Sequence, residues 1–170
     1  MFEALMPRLL VNETGYAPES LGRNGDVHAE IQRRYAVDEL SYPVWGLSPS
    51  ATLDFGYAEY GVRILGSAGY AGGPVTPHAA ALALLATPAE AIANLRELAK
   101  RYGAYGPYGF YDSVDPNTGD VAHTYLALDQ AMSFIAMANY LKDGCIQKRF
   151  AADPIAQRVL PMLAGERFFQ

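Results

Sequence analysis

The segment from residue 41 to residue 76 contains ten glycines and prolines, spaced so closely that no regular helix or strand can run through it. The same segment carries six aromatic residues: Tyr42, Trp45, Phe55, Tyr57, Tyr60 and Tyr70. An irregular segment of this length is uncommon in a compact domain and is usually functional where it occurs. Two interpretations follow: a ligand-binding loop, or an irregular packed segment whose aromatic residues belong to the core.

Helical patterns precede this segment. Apolar residues at helical spacing predict helices over residues 2–10 and 26–40, and Asp26 is placed to be the N-cap of the second helix. The Asn, Gly, Pro and Ser content of residues 12–25 predicts a loop between them.

Two threonine-proline pairs mark helix starts after the segment. Thr76 and Thr87 are each followed by proline, which favours the first helical position, and Glu90 stands where it would complete a capping box with Thr87. The helix that begins at Thr87 is predicted to end at Gly103.

The remaining patterns predict two more helices and one hairpin. The helices cover residues 128–141 and the stretch after Asp153, whose apolar face is expected to close the core. Residues 110–114 and 121–125 are predicted to pair around a turn at residues 115–119. The predicted fold is therefore a single, mainly α domain over residues 1–170, with a small β-hairpin and long aromatic, glycine-rich loops.

Composition excludes several classes of function. A net charge of −5 and a pI of about 5.1 disfavour nucleic acid or an anionic membrane as partner. The single cysteine, Cys145, excludes an internal disulfide, and the three histidines lack metal-ligand spacing. Phosphate-binding, HExxH and GxSxG motifs are missing, so no cofactor is predicted. With no long apolar run and no signal-peptide pattern, the sequence predicts no membrane insertion, and a cytoplasmic chain as expressed.

The stretch Tyr105–Asp115 combines four aromatic residues with two carboxylates. Aromatic faces can stack on sugar rings, and glycoside hydrolysis needs two carboxyl groups. Asp112 ranks first as the catalytic carboxylate because Phe110 and Tyr111 precede it directly. Asp115, which stands before Pro116, is assigned to the turn.

Other polar and aromatic residues are candidates for the same site. Glu59 lies between Tyr57 and Tyr60, and Glu3 is a further carboxylate near the start of the chain. Asp129 and Gln130 fall in the first turn of a predicted helix, where Asp129 either complements the helix dipole or is aimed into a cleft. Candidate substrate-binding residues are Trp45, whose indole is expected to have one open face beside Gly46, together with Tyr57, Glu59, Tyr60, Tyr111, Asp129 and Gln130.

Seven blocks of the chain resemble the glycoamylase-like domain family, which includes bacterial β-1,2-glucanases and a related domain of cyclic β-1,2-glucan synthases. The blocks are Met1–Pro7, Tyr42–Ser48, Gly56–Gly61, Val75–His78, Tyr108–Asp112, Leu126–Gln130 and Gln147–Phe150. Each is short, but they follow the family's order over nearly the whole chain.

This resemblance implies an (α/α)6 toroid of which the chain would be the C-terminal half, and a β-glucan oligo- or polysaccharide as partner. It implies that Asp112 is the base or nucleophile, and that the general acid lies upstream of Met1. A half-toroid would expose apolar helix faces, so we expect association with the missing half or with a second copy. The alternative is a non-catalytic glycan-binding or structural module.

Overall fold

The computed structural model describes residues 1–65, 70 and 72–169. Eight α-helices are found in this part of the chain: α1 (Phe2–Leu5), α2 (Glu13–Tyr16), α3 (Arg23–Arg34), α4 (Pro77–Leu82), α5 (Pro88–Tyr102), α6 (Ala127–Leu141), α7 (Cys145–Ala151) and α8 (Pro154–Val159). Single turns of 3-10 or π-helix extend several of them: Pro7–Leu9, Pro18–Gly22, Tyr35–Glu39, Ala83–Leu85 and Leu160–Gly165, with a further 3-10 turn at Arg63–Leu65. The mainly helical class and its partial-toroid character are as predicted.

Six two-residue strands form three antiparallel pairs within the described residues. The strands are β1 (Ser50–Ala51), β2 (Tyr57–Ala58), β3 (Tyr105–Gly106), β4 (Gly109–Phe110), β5 (Ser113–Val114) and β6 (Val121–Ala122), paired β1 with β2, β3 with β4 and β5 with β6. The last pair is the predicted hairpin, shorter than expected and closed by the turn in which the Gly119 amide donates to the Asp115 carbonyl at 2.9 Å.

Helix α4 lies at the centre of the core, and all six of its residues are buried. Its three alanines allow neighbouring helices to approach closely, and it packs on α1, α5 and α6. The core continues into Leu47, Leu98 and Val114, each fully buried, and Val75 pairs with Val114 through backbone hydrogen bonds of 2.8 and 2.9 Å. This packing ties the irregular segment to the hairpin that follows α5.

Three of the predicted helix boundaries are confirmed. The Thr76 hydroxyl accepts from the Ala79 amide at 3.4 Å, and the Asp153 carboxylate accepts from Ile155 and Ala156. Gly103 ends α5 in the left-handed conformation, at φ +63°. The capping box at Thr87 is wrong, because its side chain makes no capping hydrogen bond although Pro88 does begin the helix.

The loop predicted for residues 12–25 is also wrong, and a buried arginine explains why. Arg8 is 2% exposed, and its guanidinium contacts Glu13 at 3.2 Å, Asp26 at 2.6 Å, the Leu85 carbonyl at 3.1 Å and the Gly22 carbonyl. Helix α2, the π-turn after it, the first turn of α3 and the 3-10 turn after α4 place these acceptors around the cation. Asp26 is therefore an ion-pair partner inside α3 and not the N-cap of that helix.

Much of the 41–76 segment is irregular, as predicted, and its position beside α4 buries Trp45. A Cβ added at Gly46, whose φ is +114°, would lie 3.1 Å from the Ala79 Cβ, so the chain runs close against the helix there. Trp45 is only 5% exposed and belongs to the core, so the expectation of an open indole face is wrong. Residues 66–69 and 71, with the predicted breakers Gly66 and Gly69, lie outside the described residues.

The last helix does not close the core as predicted. In α8 and the turn after it only Ala156 and Leu160 are buried, whereas Ile155, Val159 and Met162 are 64%, 50% and 72% exposed. The physical reason is that α8 contacts mainly α7 and its own 3-10 extension. Along the part of the chain that the structure describes, no helix has the length and apolar character needed to cross a membrane.

We expect Arg8→Met to lower the free energy of unfolding by about 3–5 kcal/mol, because it leaves the buried Glu13 carboxylate without its counter-ion. Chemical denaturation followed by circular dichroism measures the change. Arg101→Met is the matched control, since Arg101 pairs with Glu97 on the exposed face of α5 and its loss should leave the midpoint nearly unchanged. Equal effects of the two substitutions would contradict the structural importance of the Arg8 cluster.

Candidate functional site

Asp112 is held in the interior by backbone contacts on both sides. It lies between β4 and β5, is 2% exposed, and its Oδ2 accepts from the Ala51 amide at 2.6 Å. The Asp112 amide donates to the Thr124 carbonyl at 3.0 Å, and the Ser113 hydroxyl donates to the Ala51 carbonyl at 2.7 Å. The short strands β1 and β5 thus fix the backbone around this carboxyl group, while its Oδ1 has no hydrogen-bond partner.

Asp129 reaches the same point from the first turn of α6. It is 5% exposed, and atoms of Asp112, Asp129 and His78 lie within 4.8 Å of one another. Burial, reinforced by hydrogen bonding and repulsion from Asp112, raises the pKa of Asp129 to about 8. Burial also raises the pKa of Asp112, opposed by the hydrogen bonds from Asp129 and Ala51. Near neutral pH the pair therefore holds a proton on Asp129, and Asp112 is the more readily ionised member.

His78 is the third member of this cluster, and the sequence analysis assigned it no role in the site. It lies in the first turn of α4, is 3% exposed, and its Nδ1 stands 3.3 Å from Oδ2 of Asp129. Neither ring nitrogen makes a well-directed hydrogen bond. Burial lowers the pKa of His78 to about 3, so the imidazole is neutral at physiological pH. The contact depends on the packing of α4 against α6, which residue spacing along the chain cannot reveal.

The predicted aromatic and amide residues surround one side of the cluster. Tyr111 packs against His123 and Tyr125 with ring centroids 4.3 and 5.1 Å apart. The Gln130 side-chain amide donates to the Phe110 carbonyl at 2.8 Å, which ties α6 to β4. A small cleft results, lined by Pro77, His78, Phe110, Tyr111, Asp112, Asp129, Gln130 and Ser133.

The other predicted residues lie at varying distances from this cleft. Tyr57 is 60% exposed and pairs across β1 and β2 with Ala51, whose amide bonds Asp112, so its backbone lies near the cluster. Partial burial and then the negative charges of Asp129 and Asp112 raise the pKa of Tyr57. Glu59 is exposed on the chain after β2, and Tyr60 is half-buried there, with its ring against Gly73. Trp45 lies elsewhere, where its backbone bonds the side-chain amide of Asn94 at 3.0 and 2.8 Å.

Comparison with known proteins gives matches over nearly the whole chain. The Glycoamylase family model, whose description is "Putative glucoamylase", matches residues 1–154. Cyclic β-(1,2)-glucan synthase NdvB of Rhizobium meliloti (strain 1021) is 29% identical over 199 residues, covering 98% of this chain and 7% of that protein.

Two solved structures extend the comparison. Endo-β-1,2-glucanase of Chitinophaga pinensis, in complex with sophorotriose and glucose, is 28% identical with a TM-score of 0.70, over 83% of this chain and 34% of that one. β-1,2-Glucanase of Parabacteroides distasonis has a TM-score of 0.82 at 20% identity, over 97% of this chain and 24% of that one. At that identity the match shows a likeness of fold alone. The chain therefore spans a small part of the curated relative and about a third or less of these two structures.

We expect Asp129→Asn to remove a pH dependence of stability. The raised pKa of Asp129 means that the folded chain holds a proton that the unfolded chain has lost, so stability falls as pH rises from about 4 to about 8. The slope from one group is at most about 1.4 kcal/mol per pH unit. Chemical denaturation at pH 5, 6, 7 and 8, in the presence of a chelator, measures it.

Asp143→Asn is the matched control, because Asp143 is exposed and has a φ of +50°, which asparagine also adopts. The control should keep the pH dependence of the original chain. If Asp129→Asn and the original chain have the same pH profile, Asp129 does not hold a proton in the folded state.

Proposed function

The chain belongs to the Glycoamylase family, and we propose that it is glycoside hydrolase-like and acts on a β-glucan. Among β-glucans, β-1,2-glucan is the proposed substrate. The observation that carries the proposal is the buried Asp112–Asp129 pair beside Tyr57 and Tyr111. An ionised carboxylate held beside a protonated one suits the base or nucleophile of acid/base chemistry on a glycosidic bond. The names of the glucan-acting relatives support the choice of substrate.

Asp112 is the proposed base or nucleophile. The Ala51 amide stabilises one oxygen of its ionised carboxylate, and no backbone group bonds the second oxygen, which would face a water or a sugar carbon. Asp129 holds the neighbouring proton, which lowers the repulsion that a second anion would create. In this role Asp129 orients the Asp112 carboxylate and sets its pKa, and it lies on the side of Asp112 away from the sugar.

The short distance within the cluster argues against Asp129 as the acid across the bond. The carboxyl groups of retaining glycosidases lie about 5–5.5 Å apart and those of inverting enzymes about 6.5–9.5 Å apart. Asp112 and Asp129 instead share a hydrogen bond, with one oxygen of each within 4.8 Å of the other, which leaves no room for a sugar between them. The pair thus acts as one unit on one side of the substrate. We propose that the general acid comes from outside this chain, in the longer polypeptide of which its relatives are examples.

Aromatic side chains are the proposed sugar-binding surface. Tyr57 is exposed and close to the carboxyl pair, and Tyr60 follows on the same loop. Tyr111 and Gln130 line the closed pocket beside the carboxyl pair, where a ring face and an amide would meet a sugar and its hydroxyls once the pocket opens. Glu59, exposed between the tyrosines, is placed to accept hydrogen bonds from sugar hydroxyls.

A non-catalytic glycan-binding module is the second candidate function. The observation that favours it is the burial of the pair, because Asp112 and Asp129 are only 2% and 5% exposed and a sugar cannot reach them without movement. In this case the tyrosines would bind the glycan, and the carboxyl pair would be structural.

Asp112→Asn in a polypeptide that completes the domain should lower the rate of β-1,2-glucan hydrolysis by about 10²–10⁴-fold. Release of reducing sugar measures the rate, and Asp143→Asn is the control that should keep it. Full activity in Asp112→Asn would rule out the catalytic role of this residue. A wild-type polypeptide that binds the glucan without hydrolysing it would favour the module instead.

Tyr57→Ala should weaken binding of a β-1,2-gluco-oligosaccharide by about 3–10-fold, whereas Tyr57→Phe should keep most of the affinity because the ring face remains. Isothermal titration calorimetry measures the affinity. Tyr140→Ala is the control, since Tyr140 is 40% exposed but lies eleven residues, or about 16 Å, along α6 from Asp129. An unchanged affinity in Tyr57→Ala would remove this residue from the binding surface.

A further inference from the structure

We propose that His78, Asp112 and Asp129 form a binding site for a divalent transition-metal cation, with Zn²⁺ as the best fit. The site uses the side chains of the proposed reaction but does not depend on that activity. The three residues come from α4, the chain between β4 and β5, and α6, and each can direct one ligand atom to a common point.

The spacing of the ligand atoms suits a small tetrahedral ion. Nitrogen and carboxylate ligands bind Zn²⁺ at about 2.0–2.2 Å, so two of them at a tetrahedral angle lie about 3.4 Å apart. Nδ1 of His78 and Oδ2 of Asp129 are 3.3 Å apart, and an oxygen of Asp112 lies within 4.8 Å of both. Only a small adjustment of Asp112 would complete a three-ligand site.

The electrostatics of the cluster also call for a cation. When both carboxyl groups are ionised, Nδ1 and Nε2 of His78, Oδ1 of Asp112 and Oδ2 of Asp129 are buried without hydrogen-bond partners. Buried polar atoms are normally paired, and buried carboxylates need a proton or a counter-ion. Among the residues that the structure describes, no lysine or arginine forms an ion pair with either carboxylate.

The contacts around the ligands resemble those that orient metal ligands. The Ala51 amide holds Oδ2 of Asp112 at 2.6 Å, which leaves Oδ1 free to face the ion. Such outer hydrogen bonds commonly fix a ligating carboxylate. The first turns of α4 and α6 fix the backbones of the other two residues, so most of the site is formed before binding.

The ligand set selects the class of metal. One imidazole and two carboxylates favour Zn²⁺ or Mn²⁺ over Ca²⁺ and Mg²⁺, which prefer oxygen ligands alone. Three protein ligands leave a fourth position for water. The ion would stand between Asp112 and Asp129 and bind a carboxylate oxygen of each, and the proposed hydrolysis needs these oxygens free. Bound zinc is therefore expected to inhibit glucan hydrolysis.

Isothermal titration calorimetry of the chelator-stripped 170-residue chain with ZnCl₂ tests the site, with the melting temperature as a second readout. One ion per chain and a higher melting temperature are expected. His78→Gln and Asp129→Asn should each weaken binding by more than about a hundredfold, beyond the roughly 10–100-fold loss typical of an outer-contact residue. His123→Gln, Asp143→Asn and Cys145→Ser are controls that should bind as the original chain does.

Absence of binding to the original chain would overturn the proposal, as would unchanged affinity in both His78→Gln and Asp129→Asn. Co²⁺ gives a test that does not depend on a variant's folding. In the NMR spectrum it should shift the ring protons of His78 strongly and those of His123 weakly, and the reverse pattern would place the metal elsewhere. Zinc binding by the chain, together with no glucan hydrolysis by the zinc-free completed polypeptide, would contradict the proposed function while leaving the metal site intact.

Discussion

The close packing of α4 is the constraint on which the rest of the structure depends. A helix buried on every side can exist here because its residues are mostly alanine, and small side chains let α1, α5 and α6 approach it together. The same packing fixes the irregular segment, since a Cβ at Gly46 would lie only 3.1 Å from the Ala79 Cβ. It also places His78, at the start of α4, against Asp129, at the start of α6. The scaffold and the candidate site are therefore consequences of one packing arrangement.

The fold buries the ionisable groups of the site without fully compensating their charges. Two carboxyl groups and an imidazole are buried together. Burial raises the pKa of both carboxyl groups and lowers the pKa of the imidazole, so each group favours its neutral form. In the form proposed for glycoside cleavage, a proton between the two carboxyl groups lowers their repulsion. In the form proposed for metal binding, a cation does so. By contrast, the buried Arg8 cluster, with four acceptors around one guanidinium, is satisfied and has a structural role.

Local signals in the sequence predicted what is local in the structure. Thr76, Gly103 and Asp153 set helix boundaries through contacts within a few residues, and the Asp115–Gly119 turn set the hairpin. The errors have long-range causes. Residues 12–25 are ordered around Arg8, and Trp45 is buried because the chain beside it packs on α4. Asp112 and Asp129 could be nominated from their neighbours in sequence, but their contact with each other and with His78 required the tertiary fold.

The Asp112–Asp129 pair titrates as one unit in the proposed mechanism, with a proton held on Asp129 at neutral pH. ¹³C NMR of the carboxyl carbons, recorded over a pH titration of chelator-treated protein, measures this directly. We expect Asp129 to titrate at about pH 8 and the Asp112 signal to respond in the same pH range. Independent titration of both carboxyl groups in the range normal for aspartate would contradict it.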